Sequence, residues 1–369
     1  MGNVPHLRFP EFSGEWKKCK LGDLCNVLMC KRILVSQTNT EDGVPFYKIG
    51  TIGSTPDAYI SKELFDDYKV KYNYPRKGEV MITCAGTVGK CVVYDGEDAY
   101  FQDSNIVWID NPTQYISNGF LFHLLSKVDW RKLNSTTIIR IYNDDLRNLK
   151  MSYPRKEEQQ KISHLLSLLD ERIATQNKII EDLNKLKSAI SERLFNAIKG
   201  DVVVLEDIGD VVKGKQINGE FLSESGKYYV MNGGIEPSGF YNDYNVEANT
   251  ISISEGGNSC GYVQFNACPF WSGGHCYTIQ NTTDNVKTEY LYQFLKSKES
   301  EIMKLRIGSG LPNIQKKDLA KFKITIPNIS EQKVISAFLS SFERKADVEM
   351  NFVNLLLEEK QYLLRQMFI

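Results

Sequence analysis

Two glycine-rich loops hold the side chains best suited to grip a nucleic acid. AGTVGK (85–90) carries Gly86, Thr87, Gly89 and Lys90; GGNSCGYV (256–263) sets Gly257, Asn258, Gly261 and Tyr262 in the matching places. Glycine lets a backbone approach a ligand closely, while Thr, Asn and Lys donate to phosphate oxygens or base edges. Lys31, Arg32, Lys48, Thr51, Arg140 and Asn143 surround the first loop in sequence. Lys213, Lys215, Gln216, Asn232, Ser309 and Asn313 surround the second. The alternative is that the glycines only form tight turns and the polar groups are solvated.

Signals for catalysis are mostly absent. AGTVGK lacks the first glycine and the trailing Ser/Thr of a phosphate loop, and the chain has no HExxH and no GxSxG. Asn111-Pro112-Thr113-Gln114 does not match the Asn-Pro-Pro-aromatic segment of a methyltransferase. Of the four histidines, His123 and His164 lie in helical patterns and read as structural. The eight cysteines form no CxxC pair, which predicts reduced thiols rather than a disulfide framework. Cys260, Cys268 and Cys276 are evenly spaced with His275 beside them. Neighbours such as His275 and Cys276 point to opposite faces of a strand, however, so no metal is expected.

The elements that must position these loops occur twice. A shift of 173 residues aligns Pro154 with Pro327, Glu158 with Glu331, Gln159 with Gln332, Leu183 with Leu356 and Phe195 with Phe368. Asp145-Leu146 and Asp318-Leu319 keep the same shift. Each block reads as a long amphipathic helix. One stripe is Ile162, Leu165, Leu169, Ile173, Ile179, Leu183, Leu186, Ile190 and Leu194; the other is Ile335, Phe338, Phe342, Phe352, Leu356, Leu363 and Met367. About 40 helical residues span roughly 60 Å, a length that with a narrow stripe fits a coiled coil. Arg172, Gln176, Lys345 and Glu349 interrupt the stripes and either fix a register or reach solvent. The segments before the helices share a plan: β-rich stretches, a glycine loop, a further strand (NIVWID; HCYTIQ) and an apolar helix (FLFHLLSKV; YLYQFLKSK).

The expected fold is therefore α+β: two similar mixed α/β domains in a pseudo-two-fold repeat, each followed by a long helix. The boundaries read as 1–153 and 201–326 for the domains, and 154–200 and 327–369 for the helices. Hydrophobic content of 42% and charged content of 25% suit a soluble globular chain. No apolar run approaches the ~18 residues of a membrane span, and the first residues carry no signal-type apolar run, so a cytoplasmic protein away from membranes is expected. The four segments carry net charges of +1, +2, −3 and −1 in chain order. That is weak for a lone nucleic-acid binder; if the chain binds DNA, either its basic groups are concentrated on one face or partners supply much of the phosphate contact.

Together these features resemble the specificity (S, HsdS) subunit of type I restriction–modification enzymes. The resemblance rests on several segments: the opening Pro5-His-Leu-Arg-Phe-Pro-Glu-Phe with Gly14-Glu-Trp16 and Leu21-Gly-Asp, the strand–loop strings GEVMITCAGTVGK and NTISISEGGNSCGYV, both Pro…EQ helical blocks, and the ending LLRQMFI. It spans the whole chain. It implies two target recognition domains, each reading one half of a bipartite site on double-stranded DNA, and helices packed as an antiparallel coiled coil that sets the spacer. It further implies two methylation subunits docked on this chain, with restriction subunits joining through them. S-adenosylmethionine, ATP and Mg would then sit on those partners, with no cofactor and no catalytic residue on this non-enzymatic subunit. TTIIRIYNDDL in the first module departs from GSGLPNIQKKDL in the second, so the contact carried by Ser309–Asn313 is expected only in the second. A reading from another class is a two-domain scaffold that binds protein or carbohydrate with no DNA role.

Overall fold

The structure is a computed structural model and describes residues 2–133, 140–308 and 312–369. The chain divides into two compact units, Met1–Thr175 with Phe352–Ile369, and Gln176–Asn351.

The first unit is built on an antiparallel four-stranded sheet in the order Asn26–Leu28, Ile106–Asp110, Val80–Thr83, Cys91–Val93. Its central strands are apolar except for Thr83 and Asp110 at their ends, because both faces are covered. Side chains alternate between faces along a strand. Val80, Ile82, Val107 and Ile109 therefore face a core with Phe120, Leu121 and Leu125 of the helix Asn118–Lys127. Met81, Ile106 and Trp108 face a second core with Phe46, Tyr100 and Phe101. The latter residues belong to a small sheet, Tyr59–Ile60, Val44–Tyr47, Tyr100–Phe101, whose last pair is parallel. The strands Lys17–Lys20 and Lys150–Tyr153 pair at the point where the chain enters the first long helix.

The second unit repeats this plan. Its sheet runs Asp210–Lys213, Cys276–Gln280, Thr250–Ser254, Val263–Asn266. Its small sheet is Phe240–Tyr241, Tyr228–Met231, Trp271–Ser272, and its entry pair is Asp201–Val204 with Lys323–Ile326. Two differences stand out. The first unit inserts a helix, Lys62–Lys71, capped by the Ser61 hydroxyl accepting from the Leu64 N–H. The second unit replaces the outer apolar face by short polar groups. Buried Ser252 accepts from Asn266 Nδ2 at 2.9 Å, and buried Ser254 donates to the Gly233 carbonyl at 2.6 Å.

The long helices are Lys156–Ala197, of 42 residues, and Ile329–Met367, of 39. The repeated glutamines anchor their first turns in the same way. Gln159 accepts from the Ser117 N–H at 2.7 Å and donates to the Tyr115 and Pro154 carbonyls. Gln332 accepts from the Lys287 N–H at 2.8 Å and donates to the Asn285 and Pro327 carbonyls. Both side chains are wholly buried with their amide groups bonded, which ties each long helix to the start of the short helix before it. The two long helices pack antiparallel, as a coiled coil. In the first unit Asp170 pairs with Lys360 and the Arg172 guanidinium lies 5.5 Å from the Phe352 ring, so one helix rises as the other descends. In the second unit Lys187 bridges to Glu343 at 2.6 Å, and Phe195 shares a core with Leu339.

The buried stripes differ in part from those read off the spacing. Leu166, Ile180, Leu339 and Val353 are buried, whereas Ile179, Leu186 and Phe338 are exposed. Apolar residues sit side by side at 165–166, 179–180 and 338–339, and a 3.6-residue period cannot choose between neighbours until the partner is known. Gln176 and Glu349, at the interruptions, are buried rather than solvated, while Lys345 reaches solvent and pairs with Glu349.

Candidate nucleic-acid interface

Both glycine loops are held by the same main-chain device. In the first unit the Thr83 N–H donates to the Lys90 carbonyl and the Gly89 N–H to the Thr83 carbonyl; in the second the Ser254 N–H donates to the Tyr262 carbonyl and the Gly261 N–H to the Ser254 carbonyl. Gly86 and Gly257 take φ of 64° and 73°, and Gly89 and Gly261 take 85° and 89°. A side chain would be strained at all four. At Gly89 it would also run into Trp130, and at Gly261 into Met303. The strand after each loop runs back along the same sheet, which leaves the loop at the strand ends.

In the first unit the loop is tied to the turn at 48–54. Thr87 Oγ1 donates to the Ile49 carbonyl at 3.0 Å, and Lys90 Nζ to the Ile52 carbonyl at 2.6 Å. Thr51 Oγ1 accepts from the Lys48 N–H, and Lys48 Nζ pairs with Asp57 at 2.8 Å. Arg32 pairs with Asp103 at 2.9 Å and lines, with Lys48, Gln102 and Asn105, a cavity of about 300 Å³. Arg140 donates to the carbonyl of Ser104, which takes a left-handed φ of 55°. The Cys84 thiol beneath is pushed up to about 12 by burial, so it stays protonated. Lys31 stands apart, its ammonium 5.5 Å from the Tyr72 ring, and half-buried Asn143 opens the short helix Asn143–Arg147.

In the second unit five segments converge. Lys213 Nζ bonds Glu255 Oε1 at 2.5 Å. The Tyr277 hydroxyl donates to the same oxygen at 3.1 Å, and His275 Nδ1 lies 3.5 Å from Oε2. Burial, and then the Glu255 charge, push the Tyr277 hydroxyl up and keep it a donor. Asn232 Oδ1 accepts from the His275 N–H at 3.2 Å. A Cβ on Gly274 would meet Gln216 Oε1, and one on Gly273 would meet Asn232 Oδ1, so both side chains lie against this turn. Asn313 pairs with Gly256, and the Gly257 N–H donates to the Pro312 carbonyl, which brings Asn313 to the glycine loop. Asn258 is exposed at the loop, and Lys215 is exposed while its carbonyl accepts from Trp271 Nε1. Ser309, and most of the first module's TTIIR string, lie outside the described residues.

Sequence reasoning missed Glu255 and Tyr277 and considered His275 only as a metal ligand. Glu255 and His275 are 20 residues apart and meet because Ser254 pairs with Cys276 across the sheet. Their first-unit counterparts, fixed by equivalent bonds from the Cys84 N–H to the Asn105 carbonyl and from the Glu255 N–H to the His275 carbonyl, are Cys84 and Asn105. Among the described residues no group of His, Cys, Asp and Glu is arranged to hold a metal, and no helix is long and apolar enough to cross a membrane.

Comparison with known proteins places the same chemistry in context. Residues 13–185 and 199–356 each match the family model described as type I restriction modification DNA specificity domain. A putative type I restriction enzyme specificity subunit of Haemophilus influenzae is 49% identical over a stretch covering 45% of this chain and 43% of that protein, so the match spans less than half of that relative. A putative type I restriction enzyme specificity subunit of Methanocaldococcus jannaschii is 22% identical over 94% of this chain and 91% of that protein. In fold, the chain is similar to the crystal structure of a type I restriction–modification S subunit from M. genitalium, with a TM-score of 0.66 and 20% identity over 99% of both chains.

Proposed function

Because this chain belongs to the family of type I restriction–modification DNA specificity domains, we propose that it is the specificity subunit of such a system, reading a split site on double-stranded DNA. Each unit reads one half of the site through its glycine loop and the loops beside it. The antiparallel helices set the number of unread base pairs between the halves. The observation that carries this reading is the double family match, which falls on two copies of one geometry.

Methyl transfer and cleavage belong to partner subunits that bring S-adenosylmethionine, ATP and Mg. Two methylation subunits dock on this chain, and restriction subunits join through them. Apolar side chains left exposed on the long helices support a docked partner. In the first unit these include Leu168, Leu355 and Leu357; in the second, Val334, Phe338 and Val348. The near-neutral net charge supports a division of labour in which partners supply most of the phosphate contact and this chain supplies the base contact.

Mapping methylated positions in cells that carry the cognate methylation subunits, with and without this chain, tests the reading. A bipartite motif that vanishes without the chain is expected. Methylation that persists unchanged without it would overturn the assignment.

A further inference from the structure

We propose that His275 is a specificity-determining residue of the second unit, presented to a base edge by the buried carboxylate of Glu255. The inference rests on the DNA-reading function and deepens it. Three observations carry it. First, the His275 side chain is 65% exposed, whereas that of Glu255 is only 9% exposed. A buried carboxylate is costly unless its oxygens are bonded, and here Lys213 and Tyr277 take one oxygen and His275 Nδ1 faces the other. Second, residues named from sequence for this unit gather round the turn that carries His275. Asn232 Oδ1 accepts from the His275 main-chain N–H, Gln216 lies against Gly274, and Lys213 bonds the same carboxylate that faces the imidazole. Third, the turn Gly273-Gly274 that carries His275 is tied by main-chain bonds, from the Gly273 N–H to the Met231 carbonyl and from the Cys276 N–H to the Gly273 carbonyl. The imidazole therefore stands on a fixed backbone.

The chemistry follows from the carboxylate. An ionised carboxylate only accepts hydrogen bonds, so Nδ1 must carry a proton to bond it. Nε2 is then the nitrogen left for DNA. As a neutral ring it accepts, which suits the amino group of adenine or cytosine. As a charged ring it donates, which suits N7 or O6 of guanine. The first unit has Cys84 and Asn105 at the matching positions and so holds no imidazole there. The other half-site is thus an internal control.

The test uses this chain assembled with its methylation subunits, and DNA duplexes carrying the motif mapped from wild-type methylation. Each base pair of each half-site is replaced in turn, and binding is measured. His275→Gln should reduce discrimination at one base pair of the second unit's half-site about 10- to 100-fold and leave the other half-site as in the wild type. Glu255→Gln keeps the imidazole and, acting through its position, should weaken discrimination at that same base pair without altering the first half-site. Thermal unfolding of both variants is followed alongside, which separates lost recognition from lost folding. A folded His275→Gln complex with wild-type discrimination overturns the inference and leaves the DNA-reading function standing. A wild-type complex with no sequence preference at either half-site overturns both.

Discussion

At the scale of single residues, the two glycine loops ask different things of their polar side chains. Lys90 is tied to the Ile52 carbonyl, whereas Asn258 is exposed at its loop. Lys90→Met should therefore cost about 1–2 kcal/mol of stability by leaving that carbonyl without its charged donor, and should also weaken one half-site. Asn258→Ala should stay within about 0.5 kcal/mol of wild type in urea unfolding, so any change in its recognised sequence reports a lost contact. His123 gives a pH-dependent prediction. It is buried, and burial lowers it to about 4. On acidification the unfolded chain takes up the proton first, near the ordinary histidine value of about 6.5. Stability is full above that pH and is lost as pH falls from about 6.5 toward 4, by at most ~1.4 kcal/mol per unit. His123→Leu should flatten that limb in unfolding measured at pH 7, 6 and 5. The glycine loops were legible in the sequence because Gly86 and Gly89 recur as Gly257 and Gly261 with polar residues between them. Their partners were not, because Ile49 and Ile52 stand 38 residues away from the groups they bind. Nothing local in the sequence links Glu255 to His275.

At the scale of elements, the repeat was legible because the same physical task recurs. Gln159 and Gln332 match in sequence because each must bond two carbonyls and an N–H where a long helix meets the short helix before it. Gln159→Ala strips three buried main-chain groups of their partner and should cost about 2–4 kcal/mol; Gln332→Ala should cost a similar amount. Denaturant midpoints for the two variants, read with an unchanged slope, check this. The choice of buried neighbour along the helices was less legible. Leu165 and Leu166 are equally apolar, yet Leu166 is sealed in the core that also holds Phe120, Leu121 and Met367, while Leu165 packs at its edge. The inserted helix Lys62–Lys71 also has no echo in the second module, and its mean apolar content is low enough to read as a loop.

At the scale of the molecule, each unit has its own sheets, loops and cores. Exchanging residues 201–326 for the matching segment of another specificity subunit should change one half of the methylated motif and leave the other half intact. A motif altered in both halves would mean that the units do not read independently. The chain alone should transfer no methyl group to DNA when supplied with S-adenosylmethionine, and activity in a highly purified sample would show chemistry that the sequence and structure do not carry.

The first unit contains both the start and the end of the sequence. Trp16 and Phe120 are closed over by Phe368, whose ring stacks on Phe120 at 4.8 Å, just as Phe195 packs on Phe294 in the second unit. During synthesis the ribosome delivers Phe368 only after every residue of the second unit, Gln176–Asn351. Domains normally mature in the order in which they are made. Here the order is reversed: the unit begun first waits, with an aromatic face uncovered, until the unit begun second has been fully translated. That waiting interval is when a nascent chain is most exposed to aggregation and most in need of a chaperone.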